Sequence, residues 1–446
     1  MSRIILYQIM FFVTLIVALS GNDFIKDSGF CFIIIHMIAG FLLVGRDLVR
    51  LLSPISLIYF YTTISLAGGS WGFGKGYIMR DSMEVDFNSW DFANLSLGIL
   101  LLSVTIFLII GERFMPRNIP SIKLKQVSFT KLLLATLIFF PFFFFELNLD
   151  IFGGGGDLST IPKTLFALFV ILYVQRYPNF LRYISYIVII LFLATISIHE
   201  KREAFFLLFP ILFLESLKYS LKLNVKSSIG ILFLIVYSLA LILAMSIARG
   251  YGQYGEFTSI FSTFAFIPAY ISSDIFIGAL LLNLEVGYFY FHGVNAIELV
   301  LQDTSILSMG STLIKPLFLF IPRFMFPFKP EQMIALYTIQ HDPGFRSIGG
   351  SYPISIFSEF FWNFHLAGLF MIIFLIMFCY YLYKHLIKSV ENFSVSYILL
   401  YFVCYLNIIM LARGSGLDLY FLFIIISAFF IMIYSFMESF LINDSS

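Results

Sequence analysis

The sequence predicts an all-α, polytopic membrane protein with about twelve transmembrane helices and one large external loop. Three observations predict it. Sixty per cent of the residues are apolar and 12% are charged, where an average soluble domain is roughly 25% charged. Apolar runs recur at the length that crosses hydrocarbon, about 20 residues rising about 1.5 Å each through roughly 30 Å. Lys and Arg gather in alternate connections between those runs. With 57 Phe, 25 Tyr and a mean hydropathy of +0.96, a water-soluble fold could not bury its apolar surface, so lipid is the solvent for most of the chain.

The runs lie near 4–20, 30–46, 51–68, 92–111, 130–149, 163–176, 180–198, 203–217, 228–248, 360–383, 395–412 and 418–438, the sixth and eighth being short. The first is read as a retained span rather than a cleaved signal. Its positive start is Arg3 alone, and Val17-Ala18-Leu19-Ser20 has no clean small-x-small cleavage site. With a cytoplasmic N-terminus, fifteen Lys and Arg fall in inside segments (Arg3, Arg46, Arg50, Arg113 and the rest) and seven in short outside loops. That asymmetry predicts both ends cytoplasmic and an even number of spans.

Parity constrains residues 249–352. The apolar run from Phe257 to Leu284 is interrupted by Pro268 and Asp274, and counting it as one span would put Lys384 and Lys388 outside. The segment is therefore read as a large external loop with partly membrane-associated helices; a pair of extra spans is the alternative that keeps parity. The organisation expected is a nine-helix membrane region over 1–248, the loop over 249–352 and a three-helix membrane region over 353–446. No internal repeat is visible, and the halves differ, unlike transporters built from repeats.

Several function classes are excluded on composition and motif. A formal net charge of +1 argues against nucleic acid. Cys31, Cys379 and Cys404 each sit inside an apolar run and read as small buried hydrophobes. No HExxH, paired Cys/His or Asp-rich metal loop occurs, so neither metal nor cofactor is expected. Gly153 to Gly156 lacks the Lys-Ser/Thr of a phosphate-binding loop, and no DxD-like motif points to a sugar nucleotide.

The costly polar residues collect on the outside. They are His199-Glu200-Lys201-Arg202-Glu203, Arg249-Gly250-Tyr251-Gly252, the stretch Ile321 to Pro330 containing Arg323, the stretch His341 to Arg346, and Arg413-Gly414-Ser415-Gly416. Singly, each arginine can snorkel to headgroups or tie down a loop. Together, Arg202, Arg249, Arg323, Arg346 and Arg413 suit a polyanion, because guanidinium forks match phosphate oxygens and neighbouring glycines let backbone N–H groups approach. Glu359 and Asn363 stand four apart and share a helix face at the entrance to the tenth span, where the loop folds over them. Glu359 there either orients an arginine or serves as a general base. His341, His199 and His365 are further bases that titrate near neutrality, whereas His36, inside the second run, reads as a helix–helix hydrogen-bond partner.

On these residues the chain resembles the O-antigen polymerases, the Wzy-type oligosaccharide repeat unit polymerases of bacterial inner membranes. Ile321-Pro322-Arg323-Phe324-Met325-Phe326-Pro327-Phe328-Lys329-Pro330 is similar to the family's proline-arginine-lysine stretch in the late external loop. Ser358-Glu359-Phe360-Phe361-Trp362-Asn363-Phe364 is similar to its Glu…Asn helix start, although Phe361 and His365 depart from the aromatic-rich, glycine-ending form. His199 to Arg202 and Arg249-Gly250 are similar to its arginines at external helix ends, and the plan of spans covers the whole chain.

The resemblance implies a multi-pass inner-membrane glycosyltransferase. It would move a growing chain on undecaprenyl pyrophosphate onto the non-reducing sugar of another lipid-linked repeat, on the periplasmic side. Undecaprenyl-pyrophosphate-linked oligosaccharide is then both donor and acceptor, the bilayer is a second partner, and a polysaccharide chain-length regulator is a third that the family brings into view. Arg249, Arg323 and Arg346, backed by Arg202 and Arg413, would bind the pyrophosphate; Glu359 and His341 are the candidate bases. Tyr251, Tyr254, Trp362 and Tyr352 either stack on sugar rings or anchor at the membrane interface. The rivals are an O-antigen ligase, disfavoured by the 321–330 stretch, and a flippase for lipid-linked oligosaccharide, disfavoured by unlike halves and by cations at helix ends.

Overall fold

The computed structural model describes residues 2–75, 92–116, 121–122, 125–145, 160–196, 207–219, 225–248, 260–283, 286–319, 321, 325–414 and 416–442. Among the described residues the chain is all-helical, with no strand. The first half holds α1 (Arg3–Leu19), α2 (Asn22–Val44), the single turn α3 (Leu48–Leu51), α4 (Pro54–Gly74), α5 (Ala93–Gly111), α6 (Phe129–Phe139), α7 (Thr160–Val174), α8 (Asn179–Ile196), α9 (Leu208–Tyr219) and α10 (Val225–Ala248). After these come α11 (Ile260–Thr263), α12 (Ile267–Ile271), α13 (Phe276–Asn283), α14 (Val286–Gln302), α15 (Ser311–Ile314), α16 (Met333–His341) and α17 (Pro343–Ser347). The chain ends in α18 (Ile356–Phe364), α19 (Met371–Asn392), α20 (Val395–Leu406), α21 (Ile408–Arg413) and α22 (Leu417–Ile442).

Local chemistry sets the boundaries. Ser2, Ser53, Ser128 and Ser355 cap α1, α4, α6 and α18 by accepting from backbone N–H groups of the first turn. Pro54 follows its cap at the one place where a helix tolerates proline freely. Four helical stretches, Ala93–Phe114, Ile356–Asn392, Val395–Arg413 and Leu417–Phe440, are long and apolar enough to cross a membrane. Shorter apolar helices stand where other spans are expected: Arg3–Leu19, Ser28–Val44, Phe129–Phe143, Thr160–Val174, Asn179–Phe192 and Leu239–Ala248. These mark a membrane-associated, all-α protein. Over the described residues 260–283 the helix is not continuous: a 3₁₀ turn at Phe264–Phe266 joins α11 to α12, Pro268 lies in the first turn of α12, and non-helical residues 272–275 separate α12 from α13.

The chain gathers into two compact units. The first comprises Met1–Arg117, Ser273–Tyr381 and Ile408–Tyr420. In it α1 packs on α2 and α5, and α2 packs on α4. His36 of α2 is fully buried and joins Thr105 of α5 (Nε2 to Oγ1, 2.7 Å) and Tyr59 of α4 (Nδ1 to Oη, 3.0 Å), the interhelical role expected of it. Glu112, also fully buried, receives Arg3 and Arg50 (each 3.3 Å) and the Tyr7 hydroxyl (2.9 Å). Thus the start of α1, the α2–α4 connection and the end of α5 meet, and at the other end Asn94 donates to the Ser20 carbonyl.

Helix α14 lies inside this unit, along α4, α5 and α18. The α4 contact needs glycine: a Cβ on Gly69 would stand 2.1 Å from the Cβ of Tyr290. Glu298 of α14 accepts from the Phe92 N–H (3.0 Å) and Ser96 (3.1 Å) at the start of α5, meeting the free N–H groups there.

The second unit comprises Asn118–Ser272, Leu382–Asn407 and Phe421–Ser446. Its polar centre is Arg182, whose forked guanidinium grips Glu215 (2.8 and 3.1 Å) and also donates to Asn179, the Tyr219 hydroxyl and the Tyr177 carbonyl. Tyr183 and Tyr186 donate to the same carboxylate. Both charged side chains are buried, and this number of partners is what makes a buried pair tolerable.

Candidate functional site

Of the residues expected to form a site, Arg202, Arg249 and Arg323 lie outside the described residues, as do His199, Tyr251 and Tyr254. Glu359, His341, Arg346 and Arg413 all fall in the first unit, on α18, α16, α17 and α21.

Glu359 and Asn363 share one face of α18, and the loop does fold over them. Its contact is Thr312 on α15: the Thr312 hydroxyl donates to Glu359 Oε1 (2.9 Å) and accepts from Asn363 Nδ2 (2.8 Å), which also donates to the Glu359 carbonyl (2.9 Å). All three side chains are buried. Among the described residues Glu359 Oε2, Asn363 Oδ1 and Trp362 Nε1 have no hydrogen-bond partner. Among the described residues Glu359 holds a hydroxyl, and one carboxylate oxygen keeps its accepting capacity. One turn further along the loop, Lys315 pairs with Asp418 at the start of α22 (2.9 Å), and Gln332 donates to the same oxygen (2.8 Å).

His341 ends α16 within a second cluster. Asn295 of α14 donates from Nδ2 to the Tyr337 hydroxyl (2.9 Å) and to His341 Nδ1 (3.0 Å), and the Tyr337 hydroxyl meets His292 Nδ1 (2.7 Å). Because Nδ1 of His341 accepts, the neutral ring carries its proton on Nε2. Burial holds the His341 pKa below the usual histidine value, against the opposing pull of Asp342; burial and the neighbouring His341 push His292 lower still. Tyr352 stacks on His292 (ring centroids 4.2 Å apart) and donates to Asp342 Oδ2 (3.2 Å), while Asp342 Oδ1 caps α17 through the Phe345 N–H (2.9 Å). Trp362 meets Tyr337 edge-on at 6.0 Å, so the two clusters adjoin.

Arg346, half-buried at the end of α17, donates to the Gly350 carbonyl (3.4 Å), a weak tie that leaves most of its fork uncommitted among the described residues. Arg413, also half-buried, precedes Gly414, whose φ of +77° and contact with the Ile354 carbonyl exclude any side chain: a Cβ would stand 1.1 Å from that oxygen. That contact seats α21 on the chain entering α18. In the 321–330 stretch, Lys329 Nζ folds back onto the carbonyls of Leu319 (3.3 Å) and Ile321 (3.2 Å), closing the stretch on its own start.

Sequence reasoning missed Thr312, Asn295, Tyr337 and His292. The readable signal was on α14, where His292, Asn295 and Glu298 recur every three residues in an otherwise apolar and aromatic helix. Among the described residues no group of three or more His, Cys, Asp or Glu gathers to hold a metal ion.

Comparison of the chain with protein-family models, with curated proteins and with solved structures returned no match. The functional reading therefore rests on this geometry and on the motifs.

Proposed function

We propose that this protein is a multi-pass glycosyltransferase of bacterial inner membranes that polymerises undecaprenyl-pyrophosphate-linked oligosaccharide repeats on the periplasmic side. The observation that carries the reading is the seat of the late loop on the Glu359–Asn363 pair through Thr312, beside the cluster that holds His341 and leads into Arg346. It brings a segment just before the 321–330 stretch onto the 358–364 stretch, one of those on which the resemblance to O-antigen polymerases rests. The twelve-span topology with both ends cytoplasmic belongs to the same proposal. The meeting of Arg3, Arg50 and Glu112 keeps the start of α1, the turn before α4 and the end of α5 on one side, as that topology requires.

In the proposed reaction the acceptor hydroxyl oxygen bonds to the donor's anomeric carbon as the bond from that carbon to pyrophosphate breaks. The hydroxyl proton passes to Glu359, whose Oε2 is the uncommitted acceptor. His341, protonated on Nε2, serves as a donor to the sugar or phosphate rather than as a base. The departing pyrophosphate, still on its lipid, is held by arginines: Arg346 and Arg413 on α17 and α21, with Arg202, Arg249 and Arg323.

The test is the length of surface polysaccharide on gels after deletion of the gene and its restoration with wild type, Glu359→Gln, Arg346→Ala or Arg323→Ala. The proposal expects lipid A core carrying a single repeat in the deletion and a ladder with wild type only. Lipid-linked polymer accumulating without attachment points instead to a ligase, and single repeats trapped on the cytoplasmic face to a flippase; either result overturns the proposal.

A further inference from the structure

Among the described residues of 309–319 and 325–328, large apolar side chains face outward while the polar Thr312 and Lys315 are turned inward. Thr312, Lys315 and Leu319 are buried, whereas Ile314 is 49% exposed, Leu317 79%, Met325 68% and Phe328 88%. Among the described residues of this segment the one charge, Lys315, is turned inward and paired with Asp418. Water does not select this arrangement, because each exposed side chain would lie in the phase it is driven out of.

The segment is also held rigidly enough for the exposure to be a property of the fold. It opens with two left-handed residues, Met309 and Gly310. The Ser308 N–H donates to the Trp362 carbonyl (3.2 Å), and Gly310 packs against the Phe364 ring. Thr312 and Lys315 are fixed as described, Phe318 and Phe326 stack in parallel at 5.2 Å, and Lys329 ties the far end to Leu319 and Ile321. These restraints hold Ile314, Leu317, Met325 and Phe328 outward.

We infer that the surface formed by Ile314, Leu317, Met325 and Phe328 inserts into the bilayer as an interfacial anchor, and that the partner of this surface is lipid. The argument for lipid is continuity. Trp362 and Phe364, to which the segment is joined, end α18, where His365 takes a left-handed turn. The next residues of the same candidate membrane span present Leu366, Phe370, Ile373 and Phe374 outward, at 47–70% exposure. The anchor and the lipid-facing start of that span thus share one root. An interfacial insertion of this kind buries a few large apolar side chains while polar groups stay on the protein side. The inference rests on membrane association and not on the proposed reaction.

The test uses single cysteines for spin labels at Leu317, Met325 and Phe328, with Ser305 and Ser347 as exposed polar controls, in a chain whose native Cys31, Cys379 and Cys404 are replaced by alanine. The protein is reconstituted in phosphatidylethanolamine–phosphatidylglycerol vesicles, and collision with oxygen is compared with collision with a water-soluble nickel chelate. The anchor is supported if oxygen exceeds the nickel chelate at 317, 325 and 328 and the reverse holds at 305 and 347. It is overturned if the chelate reaches the three apolar sites as it reaches the controls, or if both reagents are excluded there, as under a protein partner. Should the variants fail to fold, oxidation of the unaltered chain in vesicles by a water-soluble oxidant gives the same decision. Met309 and Met325 are exposed on this surface and are expected to stay reduced; their rapid conversion to sulfoxide overturns the anchor.

Discussion

Removing one partner of the Lys315–Asp418 pair should release the loop from α18. The side chains are 8% and 5% exposed, and Gln332 occupies the same carboxylate oxygen. Lys315→Met leaves Asp418 buried with a single neutral donor; losing one partner of such a pair costs about 3–5 kcal/mol, or between two and four decades in an opening equilibrium. Thr312 lies one short turn before Lys315, so opening at 315 also takes the Thr312 hydroxyl from Glu359. The assay is the rate of tryptic cleavage after Arg346, which precedes Ser347, in vesicles or nanodiscs, beside thermal unfolding. Lys315→Met and Asp418→Leu should each accelerate cleavage by at least about a hundredfold, and the double variant should return most of the protection, since an apolar pair of similar volume carries no desolvation cost. Unchanged cleavage in the single variants, or a double variant worse than either, refutes the reasoning.

Below pH 6.5 the native state should weaken: His292 and His341 have folded pKa values beneath the usual histidine value of about 6.5, so the unfolded chain binds protons first. The loss begins as pH falls through that value, at up to about 1.4 kcal/mol per pH unit for each histidine, and His292→Gln should reduce the slope in melts run across pH 7 to 5. Asn295→Asp should reverse the His341 tautomer, with Nδ1–H now donating to the carboxylate, and raise its pKa; nitrogen-15 spectra of labelled histidine read both, and an unmoved titration counts against the network. Gly414→Ala should displace α21 from the chain before α18 and lower the yield of folded protein sharply, because its Cβ would overlap the Ile354 carbonyl. In the second unit, Arg182→Ala should cost about 3–5 kcal/mol through the stranded Glu215, seen as a large loss of melting temperature, while Tyr183→Phe costs about 1 kcal/mol.

The helical, membrane-associated character was legible because it is compositional: apolar runs of spanning length announce themselves residue by residue. The shared face of Glu359 and Asn363 was legible too, since a separation of four fixes it in any helix. What folds onto that face was not. Thr312 is one hydroxyl in a segment with no period, and it meets Glu359 through left-handed backbone at Met309 and Gly310, a choice that Met does not advertise. Helix α14 was hidden for a different reason. Its aromatic and polar residues make it neither a spanning run nor a soluble helix, so hydropathy assigns it to a loop, yet contact with α4 through Gly68 and Gly69 draws it inside. The expectation that Glu359 either orients an arginine or acts as a base was framed on charge, and the Thr312 hydroxyl that the structure sets against it is a neutral partner that charge does not reveal.

The junction of Arg3, Arg50 and Glu112 sets a timetable for biogenesis. Until residue 112 leaves the ribosome, the basic groups at the start of α1 and before α4 have no carboxylate from this junction, and the early helices are held in the translocon by hydropathy and basic flanks alone. On the proposed topology, emergence of α5 is expected to close the group in one event. A nascent chain stalled short of Glu112 should therefore remain extractable or reorientable, and one stalled just beyond it should be committed.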